Sequence, residues 1–109
     1  MPQKVIAGSV SGKCLFFSVA NDVYRFDAEG EINLMCRIPG PAITSLAAVS
    51  EYRFYFLAGD ALYLWDKGTI SFLVEGLGDV IRLRAGSLYI LNSKKKSVVR
   101  WTGVDNLTQ

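Results

Sequence analysis

The chain has 109 residues, half of them hydrophobic, and a formal charge of +2 from 12 basic and 10 acidic side chains. This composition is typical of one globular domain, it excludes a disordered chain, and its small charge does not indicate binding to nucleic acid or to a membrane. Because the sequence contains no histidine, it excludes Ser-His-Asp and Cys-His catalysis and every metal site that needs imidazole.

Short β-type runs separated by turn residues follow one another along the chain, and no segment has a sustained helical period. Pro39-Gly40-Pro41 and Gly76-Leu77-Gly78 are the strongest breaks, and they divide the runs into three groups. Eleven strands are predicted: Val5–Val10, Lys13–Val19, Val23–Asp27, Glu31–Ile38, Ile43–Val49, Tyr52–Ala58, Ala61–Asp66, Thr69–Glu75, Val80–Arg84, Ser87–Asn92 and Val98–Thr102.

The second group of strands repeats the first at an offset of 39 residues. Residues 17–27 align with residues 56–66, so that Tyr24 corresponds to Tyr63 and Phe26 to Trp65. A third, looser copy aligns Leu88–Leu91 with Phe54–Leu57 and Val99–Trp101 with Tyr63–Trp65. A period just under about 40 residues with four short strands in each unit is typical of β-propeller blades.

Several predicted strands are apolar on both faces, as in Leu15-Phe16-Phe17, Phe54–Leu57, Ser71–Val74 and Leu88–Leu91. An antiparallel sheet with one solvated face should instead alternate apolar and polar residues, so both faces of these strands are expected to be covered. Blades stacked on one another provide that cover. The turns between strands are too short for the crossover helices of a parallel sheet.

The sequence therefore predicts an all-β protein of about three four-stranded antiparallel blades, which form an incomplete β-propeller. A single propeller segment covers residues 1–109, with blade 1 at about 5–38, blade 2 at about 42–75 and a partial blade 3 at about 79–109. The tail from Gly103 is expected either to add a weak fourth strand to blade 3 or to be disordered.

The second copy resembles a WD-repeat blade, because its third strand, Leu62–Trp65, ends in Trp-Asp before a Lys67-Gly68 turn. The first copy, Val23–Ile32, is more similar to the blades of quinoprotein-like propellers. The Gly-His pair of WD repeats is missing, since the chain has no histidine. The resemblance is therefore to the propeller superfamily, and it implies the blade architecture and partner binding without any family-specific functional residue.

Three blades cannot close a ring without gaps, because propellers typically have about four to eight blades. The two end blades would expose apolar faces, and such faces indicate association. A homodimer would form a six-bladed ring with two-fold symmetry. Alternatively, another protein supplies the missing blades, the chain is a fragment of a longer propeller, or a neighbouring chain donates a strand to the edge of blade 3.

Two groups of basic residues are candidate contacts for a ligand or partner. Arg82 and Arg84 alternate with apolar residues on a predicted innermost strand. There they would face a central channel and bind an anion, or pair with acidic groups across an interface. Lys94, Lys95 and Lys96 would contact phosphate or an acidic partner, or they would form the solvated tip of a hairpin and prevent wrong edge pairing.

Trp65 and Trp101 occupy equivalent positions in successive repeats. Repeated aromatic residues stack on sugars in propeller lectins, so a carbohydrate-binding ring is the alternative function, with Trp101 as a candidate contact. The correspondence of both tryptophans to Phe26 favours a role in the core between blades instead.

The remaining polar motifs predict structure rather than chemistry. Asp27 and Asp66 lie on different blades, where each is expected to accept hydrogen bonds from nearby backbone N–H groups. Cys14 and Cys36 would lie two strands apart, about 9.6 Å, which is too far for a disulfide. The sequence thus predicts a non-enzymatic interaction or scaffold module without cofactor or metal. A short N-terminal apolar stretch and no run long enough to cross a bilayer predict a cytoplasmic protein.

Overall fold

The computed structural model describes residues 5–11 and 14–101. Within these residues the regular secondary structure consists of β-strands. Eleven strands occur there, at the places where the sequence predicts them. Their bounds are β1 (Val5–Ser11), β2 (Cys14–Val19), β3 (Asp22–Phe26), β4 (Ile32–Arg37), β5 (Ile43–Ser50), β6 (Arg53–Ala58), β7 (Ala61–Asp66), β8 (Thr69–Glu75), β9 (Val80–Arg84), β10 (Ser87–Asn92) and β11 (Ser97–Trp101). The predicted strand ends at Lys13 and Thr102 lie outside the described residues.

The strands form three antiparallel sheets, in which each strand pairs with its neighbours in the chain. Sheet 1 contains β1 to β4, sheet 2 contains β5 to β8, and sheet 3 contains β9 to β11. Within the described residues, sheet 3 thus has one strand fewer than the others. The tail from Gly103, which is predicted either to add a fourth strand to sheet 3 or to be disordered, lies outside these residues. Over the described residues, the three sheets do not close into a ring.

The first strands of the three sheets lie side by side, with β1 against β5 and β5 against β9. Ser45 on β5 joins two of these strands. Its buried hydroxyl accepts a hydrogen bond from the Ile81 N–H at 3.0 Å and donates one to the Ile81 carbonyl at 3.4 Å. A buried hydroxyl without partners would cost about 1–3 kcal/mol. This pair of bonds therefore aligns sheet 3 with sheet 2 at the start of their inner strands.

The core consists of two hydrophobic clusters, and β6 contributes to both of them. Phe54 and Phe56 lie in the cluster between sheets 1 and 2, together with Phe16. Tyr55 and Leu57, which alternate with them along β6, lie in the cluster between sheets 2 and 3. The prediction that both faces of this strand are covered is confirmed, because successive residues of a strand point to opposite faces.

The prediction that both faces are covered does not hold for β8, the outermost strand of sheet 2. Phe72 is 57% exposed, whereas Leu73 and Val74 are half-buried. β8 lies at the edge of its sheet, three strands from β5. The neighbouring sheets consequently cover it less completely than they cover β6.

Two-residue turns close the hairpins β7–β8 and β9–β10. Lys67 and Gly68 have φ values of 50° and 95°, and Ala85 and Gly86 have φ values of 52° and 79°. Two successive positive φ values define a type I′ turn, whose twist matches that of the flanking antiparallel strands. Glycine at the second position takes up the left-handed conformation without a steric penalty. The Lys67-Gly68 turn confirms the predicted break between these two strands.

Candidate interaction faces

The face of sheet 1 that points away from sheet 2 is apolar, and we call it the first-sheet outer face. Strand register defines its members, because Leu15 lies opposite Phe26, Phe17 opposite Tyr24, and Tyr24 opposite Leu34. The face therefore comprises Leu15, Phe17, Tyr24, Phe26, Ile32 and Leu34. Leu34 is 52% exposed and Ile32 is 59% exposed. Several large apolar side chains thus share one solvent-facing surface, which is a mark of an interaction site.

The corresponding face of sheet 2 is covered by sheet 1. The aromatic rings of Phe17 and Tyr24 stack with centroids 5.4 Å apart, and their counterparts 39 residues later, Phe56 and Tyr63, stack at 5.2 Å. Phe56 is fully buried in the cluster beside sheet 1, and Tyr63 packs against that cluster. The first-sheet outer face is therefore the repeat equivalent of a face that, in sheet 2, lies against a preceding sheet.

At the other end of the stack, sheet 3 also has an open face, which we call the third-sheet outer face. Its members alternate with Ile81, Leu88 and Ile90, which are buried towards sheet 2. The face comprises Val80, Arg82, Arg84, Tyr89, Leu91, Val98 and Arg100. In the repeat alignment its Tyr89 and Leu91 correspond to Tyr55 and Leu57, which sheet 3 covers. The third-sheet outer face is thus the repeat equivalent of the face of sheet 2 that lies against sheet 3.

The predicted contacts Arg82 and Arg84 both lie on the third-sheet outer face, exposed to solvent. The Arg82 guanidinium donates a hydrogen bond to the Ile81 carbonyl at 2.9 Å. Lys94, Lys95 and Lys96 form the tip of the β10–β11 hairpin, where the Lys95 N–H donates to Asn92 Oδ1 at 3.0 Å. The three lysines lie at the opposite end of sheet 3 from Arg84, so the structure does not bring the two predicted groups together.

Trp101 lies on the other face of sheet 3, opposite Leu88, and packs against the cluster between sheets 2 and 3. Its Nε1 is buried and has no hydrogen-bond partner within residues 14–101. Trp65 is buried and stacks on Phe54 with centroids 4.9 Å apart. Neither indole is displayed as an open platform for a sugar ring. The role of Trp101 as a contact stays a prediction.

Sequence reasoning missed Arg100, which lies opposite Tyr89 on the third-sheet outer face. The repeat could have revealed it, because Val99-Arg100-Trp101 aligns with Tyr24-Arg25-Phe26. Arg25 is an inter-sheet contact. Its guanidinium lies 5.4 Å from the centre of the Tyr52 ring and donates to the Glu51 carbonyl at 3.3 Å, at the turn between the first two strands of sheet 2. Arg100 is thus placed to hold a following sheet in the same way.

Charge is distributed unequally along the stack. Residues 79–101 carry six basic side chains and one acidic side chain, a formal charge of +5. Residues 5–37, the bounds of sheet 1, carry three basic and four acidic side chains, a formal charge of −1. Three of those acids, Asp27, Glu29 and Glu31, lie at the β3–β4 turn. The two ends of the stack therefore have opposite charge.

Asp27 shapes that turn, as predicted for an aspartate at this position. Its Oδ1 accepts hydrogen bonds from the N–H groups of Glu29 at 3.1 Å and Glu31 at 3.0 Å.

Asp22 and Arg37 form a two-pronged ion pair with Oδ1 to Nε at 2.7 Å and Oδ2 to Nη2 at 3.2 Å. The Arg37 guanidinium holds the pKa of the Asp22 carboxyl below its ordinary value.

An open groove of about 520 Å³ lies beside this ion pair, between the β2–β3 turn and the β4–β5 loop. Asn21 Nδ2 fixes the loop by donating to the carbonyls of Ile38 at 2.9 Å, Gly40 at 2.7 Å and Pro41 at 3.0 Å. The side chains of Asn21, Asp22 and Arg37 that line this groove thus have hydrogen-bond partners within the chain. The repeat recurs here too, since the Ile38 N–H donates to Asn21 O and the Gly76 N–H donates to Asp60 O.

Cys14 and Cys36 are free thiols on β2 and β4, with β3 between them as predicted. Burial raises the pKa of the Cys36 thiol to about 11, and the charge of Asp22 adds to this effect. At neutral pH the thiol is therefore protonated and weakly nucleophilic.

Within the described part of the chain, no group of three His, Cys, Asp or Glu side chains is arranged to hold a metal ion. The same residues contain no helix that is long and apolar enough to cross a membrane. The cytoplasmic location stays a prediction.

Comparison with known proteins returned no matching protein family and no matching curated protein. Among solved structures, YCF48 bound to a D1 peptide resembles the chain with a TM-score of 0.66 at 14% sequence identity, over 91% of this chain and 36% of that one. The computationally designed Ika4 protein aligns over 93% of this chain and 92% of its own, with 15% identity and a TM-score of 0.49. The chain spans about a third of the length of the YCF48 chain. Since YCF48 is propeller-like, this likeness supports a β-propeller-like fold.

Proposed function

We propose that this chain is a non-enzymatic protein-interaction module in which the three sheets are consecutive propeller blades. The observation that carries the proposal is the first-sheet outer face. It repeats the stacked aromatic pair of sheet 2, yet in sheet 2 that pair lies against another sheet and here it faces solvent. Because the first-sheet outer face is equivalent to a face that is buried between sheets, a further sheet or strand from a partner would cover it.

The partner is either a second copy, giving a homodimeric six-bladed ring, or another protein that supplies the missing blades. The YCF48 structure contains a bound D1 peptide. That association supports an interaction role for a propeller-like chain, and the residues that would carry it here are those of the two outer faces. No cofactor takes part in this function. No observation favours a lectin ring, because Trp65 is buried and Trp101 packs against the cluster between sheets 2 and 3.

Site-specific photo-crosslinking in the cells that produce the chain tests this proposal. A photoreactive amino acid at Phe26, on the first-sheet outer face, or at Val98, on the third, is expected to give a discrete adduct with one polypeptide, because their counterparts in sheet 2, Trp65 and Leu62, are buried. Phe72 is the matched control. It is 57% exposed, against 40% for Phe26, although sheet 2 has a neighbouring sheet on each side.

An adduct from the outer faces without one from position 72 supports the interaction role. Absence of any adduct from positions 26 and 98, or equal labelling from all three positions, would contradict it.

A further inference from the structure

We propose that the occupant of each outer face is a second copy of this chain, joined head to tail, so that the third-sheet outer face of one copy covers the first-sheet outer face of the other. This inference rests on the proposed function and names its partner. Two such contacts would use both open faces of both copies and close a six-sheet ring with two-fold symmetry.

The repeat supplies the first argument, because the two open faces are the two halves of one kind of contact. Inside the chain, the face of sheet 2 that carries Phe56 and Tyr63 meets sheet 1. The face of sheet 2 that carries Tyr55 and Leu57 meets sheet 3. Within residues 5–11 and 14–101, no sheet covers the face that carries Phe17 and Tyr24, and none covers the face that carries Tyr89 and Leu91. A head-to-tail contact supplies each with its missing neighbour, which a contact between two identical faces would not do.

Charge supplies the second argument, because it favours the same pairing and opposes the alternatives. The sheet 3 strands and their turns (residues 79–101) have a formal charge of +5, and the sheet 1 strands and their turns (residues 5–37) have a formal charge of −1. Joining sheet 3 to sheet 3 would bring like charges together, whereas joining sheet 3 to sheet 1 brings opposite charges together. Electrostatic complementarity of this kind fixes partner choice and register.

The positions of the charges along the sheets agree with this pairing. Arg84 and Arg100 lie at the ends of β9 and β11, and the acidic turn of Asp27, Glu29 and Glu31 follows the end of β3. Arg25, near the end of β3, contacts the turn that follows β5. The ends of odd-numbered strands in neighbouring sheets therefore share one rim. In the head-to-tail dimer the two arginines and the acidic turn would lie on that rim together.

The arginines also suit an aromatic surface. The contact of Arg25 with the Tyr52 ring shows that an arginine of one sheet already engages an aromatic residue of the next. Arginine is well suited to such contacts because its planar guanidinium stacks on rings and remains charged. The first-sheet outer face offers Phe17, Tyr24 and Phe26 to the guanidinium groups of the partner copy.

Two complementary variants test the inference by light scattering coupled to size exclusion. Phe26→Lys places a cation on the first-sheet outer face, at the position whose counterpart Trp65 is buried between sheets 1 and 2. The double variant Arg84→Glu with Arg100→Glu reverses charge on the third. The wild-type chain is expected at twice its 12.0 kDa mass, and each variant alone at 12.0 kDa. An equimolar mixture is expected to recover the doubled mass, because the unchanged third-sheet outer face of one variant then meets the unchanged first-sheet outer face of the other. Circular dichroism checks that each variant is folded.

Three outcomes would overturn the inference. The first is a wild-type chain that stays at 12.0 kDa at every concentration. The second is an arginine variant that dimerises alone, which would indicate that two first-sheet faces join. The third is a mixture of folded variants that does not recover. If the wild type is monomeric but positions 26 and 98 crosslink to a different polypeptide, the proposed function stands and only the second copy is excluded.

Discussion

Replacing Phe54 by alanine is expected to reduce the free energy of unfolding by about 3–5 kcal/mol, the usual cost of deleting a buried phenylalanine ring. Phe54 is fully buried, and its ring centroid lies 5.2 Å from that of Phe16, 5.9 Å from Phe56 and 4.9 Å from Trp65. Removal of the ring leaves a cavity at the contact between sheets 1 and 2. Urea unfolding followed by tryptophan fluorescence measures the loss.

Phe72→Ala is the matched control for this variant. It deletes the same ring from a position that is 57% exposed, and a loss below about 1 kcal/mol is expected there. Equal losses at positions 54 and 72 would show that the contact between sheets 1 and 2 is not the hydrophobic centre of the fold.

The second large effect is expected from Gly78→Ala, which should cost about 1–3 kcal/mol through overpacking. A Cβ on Gly78 would overlap the backbone carbonyl of Leu91 and lie 2.8 Å from Ile90 Cγ2. The neighbouring Asp79 N–H donates to that same carbonyl at 2.9 Å. The variant is therefore expected to weaken this hydrogen bond as well, and amide hydrogen exchange at Asp79 should accelerate.

Gly76→Ala provides the comparison, since a Cβ there meets nothing within 4 Å. Its cost is limited to the strain of alanine at a φ of 82°, and the Asp79 amide should keep its protection. An Asp79 amide that exchanges at the wild-type rate in Gly78→Ala would contradict the close approach of Gly78 to β10.

The strands and their grouping could be predicted because local chemistry determines them. The Lys67-Gly68 pair suits a type I′ turn whatever surrounds it, and Pro39-Gly40-Pro41 ends a strand for covalent reasons. The assignment of β6 to a strand covered on both faces follows from four consecutive large apolar residues. These features depend on a few neighbouring residues and are readable in one sequence.

The composition of each face could not be predicted with the same completeness, because it depends on register. Arg100 lies on the open face, whereas the next residue, Trp101, packs against the cluster between sheets 2 and 3. The sequence pattern nominated Trp101 and missed its neighbour. The exposure of Phe72 also depends on how far the sheets diverge at β8, which no local pattern encodes. Likewise, the engagement of Arg25 by Tyr52 joins residues from two different sheets.

Whether the outer faces are covered by association is tested most directly by the concentration dependence of the thermal unfolding midpoint. Association that occurs only in the folded state raises the midpoint as the protein concentration rises. Over about a hundredfold range of concentration, the midpoint of the wild-type chain is expected to rise by several degrees, while that of Phe26→Lys stays constant. A wild-type midpoint that is independent of concentration would contradict the account.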